Sequence, residues 1–126
     1  MKDPIFSKER LLDPIHSPHG EVVYELIGRS MEHGGAQAHS LAHVVIPPGK
    51  ASLAHRHQVS EESYYILRGQ ARMVIDRRTY TLAPGQACLI SPGQVHQIFN
   101  AGALDLEFLA VCIPPWHPDD SFIEDG

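Results

Sequence analysis

A chain of 126 residues is long enough for one domain with a hydrophobic core and too short for two. Its 43% hydrophobic content excludes wholesale disorder, and a net charge of −5 without any run of Lys or Arg excludes a phosphate-backbone partner. No segment is apolar for the length a membrane span needs, no signal-peptide core follows Met1-Lys2-Asp3-Pro4, and two cysteines are too few for a disulfide framework. The expectation is a soluble cytoplasmic protein whose Cys88 and Cys112, both inside apolar runs, stay reduced.

Residues 1–20 read as an N-terminal arm, with scope for one helical turn over Ser7–Leu12 between Pro4 and Pro14. Short β-prone runs follow: Glu21–Ile27, Ser40–Ile46, Ser63–Leu67, Arg72–Asp76, Thr79–Leu82, Ala87–Ile90, Val95–Phe99 and Leu104–Ile113. Turn signals divide them at Pro47-Pro48-Gly49, Arg68-Gly69, Pro84-Gly85, Ser91-Pro92-Gly93 and Asn100-Ala101-Gly102. This pattern predicts an all-β sandwich or barrel over residues 21–113, with 114–126 as a C-terminal tail. There is no internal repeat and no low-complexity tract.

Nine histidines are many for this length, and three fall in a pattern that metal binding explains. His55 and His57 are two apart, so on a strand both imidazoles face the same side. Glu62 follows at an odd offset, which demands a break within Gln58-Val59-Ser60-Glu61 and a new strand starting near Glu62. His96 comes just after the Ser91-Pro92-Gly93 turn. Three imidazoles and one carboxylate suit a divalent transition metal (Mn, Fe, Co, Ni, Cu or Zn) better than Ca or Mg. One carboxylate on a divalent ion leaves about one net positive charge, so an anionic small-molecule ligand is the expected partner.

Other side chains are candidates for the same cavity. Tyr64 shares a face with Glu62 on a regular strand, and its hydroxyl could meet a ligand. Glu107 interrupts an apolar run and needs a partner, either an arginine in a salt bridge or a substrate proton as general base. His43, with His39 four residues before it, lines the cavity, its rim or the surface. Arg72 faces an anionic substrate from inside or solvent from outside. Trp116 covers apolar surface at a barrel edge or subunit contact, or stacks on a substrate. His16, His19, His33 and His117 read as solvated loop residues.

The spacing around the histidines resembles a known family. Gly49, His55, His57, Glu62 and Gly69 match the first cupin motif at its defining positions. Gly85, Ser91, Gly93, His96 and Asn100 match the second, with Ser91 standing where the family usually has proline and Pro92 beside it. The resemblance implies a double-stranded β-helix (jelly-roll) barrel, a metal inside one end held by His55, His57, Glu62 and His96, turn roles for Gly69, Gly85 and Gly93, and a homodimer. The stretch from Leu106 through Cys112-Ile113-Pro114-Pro115-Trp116 is similar to small cupins labelled mannose-6-phosphate isomerase-like. Two functions follow. One is a metal-dependent enzyme on a small oxygenated metabolite, an isomerase, dioxygenase or decarboxylase with the metal as Lewis acid or redox centre. The other is a non-catalytic ligand-binding or sensor module. Only Lys50, Arg56 and Arg72 lie near the motifs to meet a phosphate, so phosphorylated substrates are weakly supported.

Overall fold

The computed structural model describes residues 3–11 and 13–124. Among the described residues, eleven strands form two antiparallel sheets. They are β1 (Ile15–His16), β2 (Val22–Ile27), β3 (Ser40–Ile46), β4 (His55–His57), β5 (Glu61–Arg68), β6 (Ala71–Ile75), β7 (Arg78–Leu82), β8 (Ala87–Ile90), β9 (His96–Asn100), β10 (Leu106–Ile113) and β11 (Ser121–Ile123). One sheet runs β1-β2-β3-β10-β5-β8 and the other β11-β4-β9-β6-β7. The expected barrel is thus two facing sheets, with the core between them.

Period-2 burial sets the layers. In β5, Glu62, Tyr64 and Ile66 are buried while Glu61, Ser63, Tyr65 and Leu67 are exposed. In β10, Leu106, Phe108, Ala110 and Cys112 are buried. The two strands pair Phe108 with Ile66, Ala110 with Tyr64 and Cys112 with Glu62, so each buried residue lies beside another. Ile46, Ile66, Met73, Ile98 and Leu106 are fully enclosed at the centre.

The predicted runs and the observed strands differ mainly at their ends. The strand expected at Leu104 starts at Leu106, because the buried Asn100 side chain organises the preceding loop. Its amide donates to the Ile46 and Leu104 carbonyls, both at 2.8 Å, and its Oδ1 accepts from the Gly102 N–H at 2.9 Å. Gly69 has φ +91°, and a β-carbon there would come within 2.8 Å of the Asp105 carbonyl oxygen, so the first motif ends in glycine for two reasons at once. β6 and β7 join through Asp76 and Arg77, both at positive φ, a two-residue hairpin turn without glycine.

Both ends of the chain join the sheets. Lys8–Arg10 makes the short helical turn, with Leu12 outside the described residues. β1 pairs with β2, and β11 pairs with β4, placing Phe122 opposite Arg56. These strands, like β4, are two or three residues long, too short to show an alternation in sequence. Cys88 and Cys112 are free thiols, separated by β5, so no disulfide spans them.

Replacing Asn100 by alanine strips three hydrogen bonds from a buried corner. The expected loss of unfolding free energy is about 3 kcal/mol, since a stranded buried carbonyl costs roughly 1–3 kcal/mol. Urea denaturation checks this; a loss below about 1 kcal/mol would mean that water or another group replaces the amide.

Candidate metal centre

His55 and His57 project from β4 into the space between the sheets, and the chain then turns through Gln58, Val59 and Ser60 before β5 starts at Glu61. This is the break that the odd offset requires, and it lets Glu62 point back at the histidines. His96 opens β9 directly opposite His55. Their rings lie 4.2 Å apart between centroids, with His57 5.0 Å from His55 and 5.6 Å from His96. One ligand atom from each of the four residues lies within 4.8 Å of all the others.

Hydrogen bonds set the tautomers. Nδ1 of His55 meets the Leu53 carbonyl at 2.8 Å, Nδ1 of His57 the Asp120 carbonyl at 3.1 Å, and Nδ1 of His96 the Gln94 carbonyl at 3.0 Å. A carbonyl only accepts, so each Nδ1 carries the proton, and in a neutral ring Nε2 is left with a bare lone pair. Glu62 Oε1 nevertheless sits 3.1 Å from His96 Nε2 and 3.4 Å from His57 Nε2. Lone pairs facing a carboxylate at these distances need a cation between them, a proton or a metal ion. His57 Nε2 is fully buried and has no hydrogen-bond partner among the described residues. Three nitrogens and one oxygen converging on one point suit a borderline divalent ion.

The electrostatics agree. Burial pushes the Glu62 carboxyl upward, yet the adjacent His57 and His96 imidazoles hold it well below the usual carboxylate range. Burial opposes charge on His57, but Glu62 and the Asp120 carbonyl outweigh it and raise the imidazole. Burial and the neighbouring His96 lower His55 to about 4, so this ring is neutral at ordinary pH.

Three further residues support the cluster. The Cys112 thiol donates to Glu62 Oε2 at 3.0 Å, leaving Oε1 to face the imidazoles. Burial and the adjacent Glu62 push this thiol well above its usual range, so it remains a donor. The Asp120 carboxylate accepts from three successive N–H groups of the intervening turn, those of Gln58, Val59 and Ser60, at 2.9–3.0 Å. These bonds hold Asp120 below its ordinary range despite the partial cost of burial. Ser60 Oγ donates to the Pro114 carbonyl at 3.0 Å, fastening the turn a second time.

A cavity of about 310 Å³ opens beside the cluster. Its walls are largely apolar, with Val23, Val44, Leu53, Phe108 and Trp116 among them, and Ile15 and Ile123 from the two ends of the chain stand at its edge. Tyr64 lines it, its ring tilted against that of Phe108 with centroids 4.6 Å apart. Burial and Glu62 raise the phenol well above its usual range, so Tyr64 is a neutral hydroxyl. Glu21 and Glu25 also face in. Burial lifts Glu21 to about 7, against a bond from the Leu53 backbone and together with repulsion from Glu62.

Of the other candidates from the sequence, Tyr64 and Trp116 line this cavity, and so does His16, which the sequence reading put in a solvated loop and which is an exposed residue of β1. His43 and Glu107 occupy the alternate positions of β3 and β10 and face outward, joined at 2.9 Å and flanked by Lys8 at 3.9 Å and Arg68 at 3.7 Å. That cluster answers the need of Glu107 for partners. Arg72 also faces outward, its guanidinium 4.5 Å above the Phe99 ring. His39 is exposed just before β3, and Trp116 belongs to the cavity wall. Cys112, Asp120 and Glu21 have roles here that sequence reading did not assign. For Cys112 the parity of β10 was the available signal; for Asp120 there was none.

Known proteins share this fold. A model of the cupin domain matches residues 42–112. An uncharacterised protein of Methanocaldococcus jannaschii is 33% identical over 112 residues, 89% of this chain and 88% of its own. An oxalate-binding protein of Thermotoga maritima is 35% identical over 95 residues, 75% of this chain and 77% of its own. Among solved structures, the Lactobacillus farciminis oxalate decarboxylase in complex with formate superposes with a TM-score of 0.77 at 28% identity, covering 89% of this chain; this chain spans only 33% of that enzyme. A protein of Klebsiella pneumoniae with a double-stranded β-helix domain superposes end to end, 99% of this chain on 100% of the other, with a TM-score of 0.78 at 18% identity, which speaks to the fold alone. Fold, motif spacing and the buried histidine–glutamate cluster therefore converge on one assignment: the chain belongs to the cupin family.

Proposed function

We propose that this cupin is a metal-dependent enzyme acting on a small oxygenated metabolite, with one transition-metal ion held by Nε2 of His55, His57 and His96 and by Oε1 of Glu62. The observation that carries the reading is His57 Nε2, buried, partnerless and 3.4 Å from a carboxylate oxygen, with its ring proton already committed to the Asp120 carbonyl. When bound, the ion supplies Lewis acidity, or redox chemistry for a redox-active metal, toward an oxygen group of the ligand. The chain's own residues do the rest. The three backbone carbonyls fix the imidazole tautomers, Cys112 holds the carboxylate in one orientation, and the apolar wall excludes water from the ligand's body. Tyr64 offers a neutral hydroxyl at the same cavity, and Glu21 a carboxyl that exchanges its proton near neutral pH. The oxalate-binding and oxalate-decarboxylase relatives support an anionic oxygen group on the ligand. The relative named for binding rather than turnover favours a second reading, a binding module, and product formation by the metal-loaded protein separates the two.

Elemental analysis of untagged protein tests the site: about one metal ion per chain is expected, falling several-fold in His57→Ala, and full stoichiometry in that variant overturns the assignment. Affinity is expected to fall as pH drops through about 6.5, because ligating imidazoles must be unprotonated. His57, raised, is contested by protons early in that descent, while His55, at about 4, is contested only in strong acid. Metal titrations between pH 8 and pH 5 read this slope; a flat profile contradicts it.

Cys112→Val removes the donor to Glu62 Oε2 and is expected to weaken metal binding roughly tenfold or more, within the usual range for a ligand's supporting hydrogen bond, whereas Cys112→Ser keeps most of the affinity. Competition with a chelator measures both. Equal affinities for the valine and serine variants would show that the thiol only packs.

The homodimer implied by the resemblance has a candidate face. The outer side of the six-stranded sheet carries Tyr65, Leu67, Leu89 and Ile113, each more than 40% exposed. Sedimentation is expected to give twice the 14.0 kDa chain mass, with Leu89→Glu shifting it to monomer; monomer alone for the unaltered protein removes the dimer.

A further inference from the structure

The cavity walls carry more information than the four-residue cluster. Among the described residues no lysine or arginine lines this cavity. Besides Glu62 it holds two more acids, Glu21 and Glu25, and no cation pairs with either in a salt bridge among the described residues. The Tyr64 hydroxyl enters no hydrogen bond with another described side chain or with described backbone, so it is free for a ligand. The volume lies at the small end of sites for small molecules, which run from about 300 to 1,000 Å³.

Charge counting narrows the ligand. A divalent ion with Glu62 retains about one positive charge, and one anionic group on a ligand neutralises it. A second negative charge exceeds what the ion neutralises and lies in the same cavity as Glu62, Glu21 and Glu25, where among the described residues the exposed His16 is the one basic side chain outside the cluster, which is unfavourable. An apolar body is favourable there, since it covers Val23, Val44 and Phe108 and displaces water from them.

We propose that the cavity takes a monoanionic ligand with an apolar body about the size of one substituted aromatic ring. Its oxygen donors face His55, His57, Glu62 and His96, a polar substituent meets Tyr64 or Glu21, and small dianions such as oxalate are rejected. The inference rests on the metal-site reading for the orientation of the ligand and departs from the ligand named for the Thermotoga maritima relative. Burial that lifts the Glu21 carboxyl to about 7 agrees with an environment hostile to extra negative charge.

Calorimetry on cobalt(II)-loaded and metal-free protein, with pyruvate, phenylglyoxylate and oxalate, tests it. Pyruvate and phenylglyoxylate present the same 2-oxo acid donors and differ only in methyl against phenyl. Phenylglyoxylate is expected to bind at least tenfold tighter than pyruvate and tighter than oxalate. Glu21→Gln is expected to raise the affinity for oxalate relative to pyruvate several-fold. A phenyl-to-methyl ratio below twofold, oxalate as the tightest of the three, or no binding by any of them overturns the proposal. Cobalt stoichiometry on the same samples reports on the metal site separately. A chain that takes up no cobalt and keeps the phenyl preference retains the pocket and loses the metal; one that binds cobalt without that preference loses the pocket assignment alone.

Discussion

The carboxylate of Glu62 is the constraint on which the structure turns. It is 5% exposed, and an ionised carboxylate so deeply placed is tolerable only with partners on every side. Those partners come from three other strands: His57 from β4, His96 from β9 and Cys112 from β10. Each strand must hold its register for the set to close. A slip of one residue in β5 would turn Glu62 outward and bring Glu61 or Ser63 in, and it would expose Tyr64 and Ile66 as well. The register that buries the apolar core is therefore the register that assembles the cluster.

The cluster is not confined to the paired motifs. The turn that lets Glu62 face His57 has three successive N–H groups that no sheet partner satisfies, and one carboxylate, that of Asp120, takes all three. The carbonyl of the same residue fixes the His57 tautomer. The family match ends at residue 112, so a chain end outside the matched region supports both the geometry and the proton placement of a proposed ligand. Edge pairing of Ser121–Ile123 with His55–His57 carries Asp120 into position and at the same time adds Ile123 to the cavity edge.

Much of this was legible in the sequence because it rests on parity and spacing. His55 and His57 share a face on any strand, and the odd step to Glu62 requires a break, which falls at Gln58–Ser60. Glycine spacing marked the turns, and the β runs marked eight of the eleven strands. What stayed hidden has physical causes. His43 and Glu107 sit in runs that are apolar on both faces, because the outer face of the six-stranded sheet carries Leu41, Leu109 and Val111, so alternation did not separate inside from outside. Glu21, just before β2, and Glu25 within it share the inward parity with Val23 while Val22 and Tyr24 face out, which puts two acids inside where apolar residues are usual, and only pairing with β3 reveals it. Asp120 acts across about sixty residues of sequence, a distance over which no local pattern speaks.

Those inward acids bear on how a shared fold acquires different chemistry. Two histidines, a glutamate and a third histidine make the cradle, and their spacing is what the family resemblance reads. The walls are supplied by β2, by the inner positions of β3 and β10, and by both ends of the chain. A strand with acids turned inward is costly unless something uses them, since Glu21 and Glu25 could face solvent after a one-residue shift that would leave Val22 and Tyr24 buried. The bulge between Glu25 and Ile27 and the pairing of Val23 with Val44 hold the costly register in place. A local arrangement maintained against the simpler hydrophobic pattern is the mark of a functional surface, and here it lines the same cavity as the cradle. The spacing of the cradle is what places this chain in the family; the acid-bearing wall, without lysine or arginine among the described residues, is what the body of a bound ligand would meet.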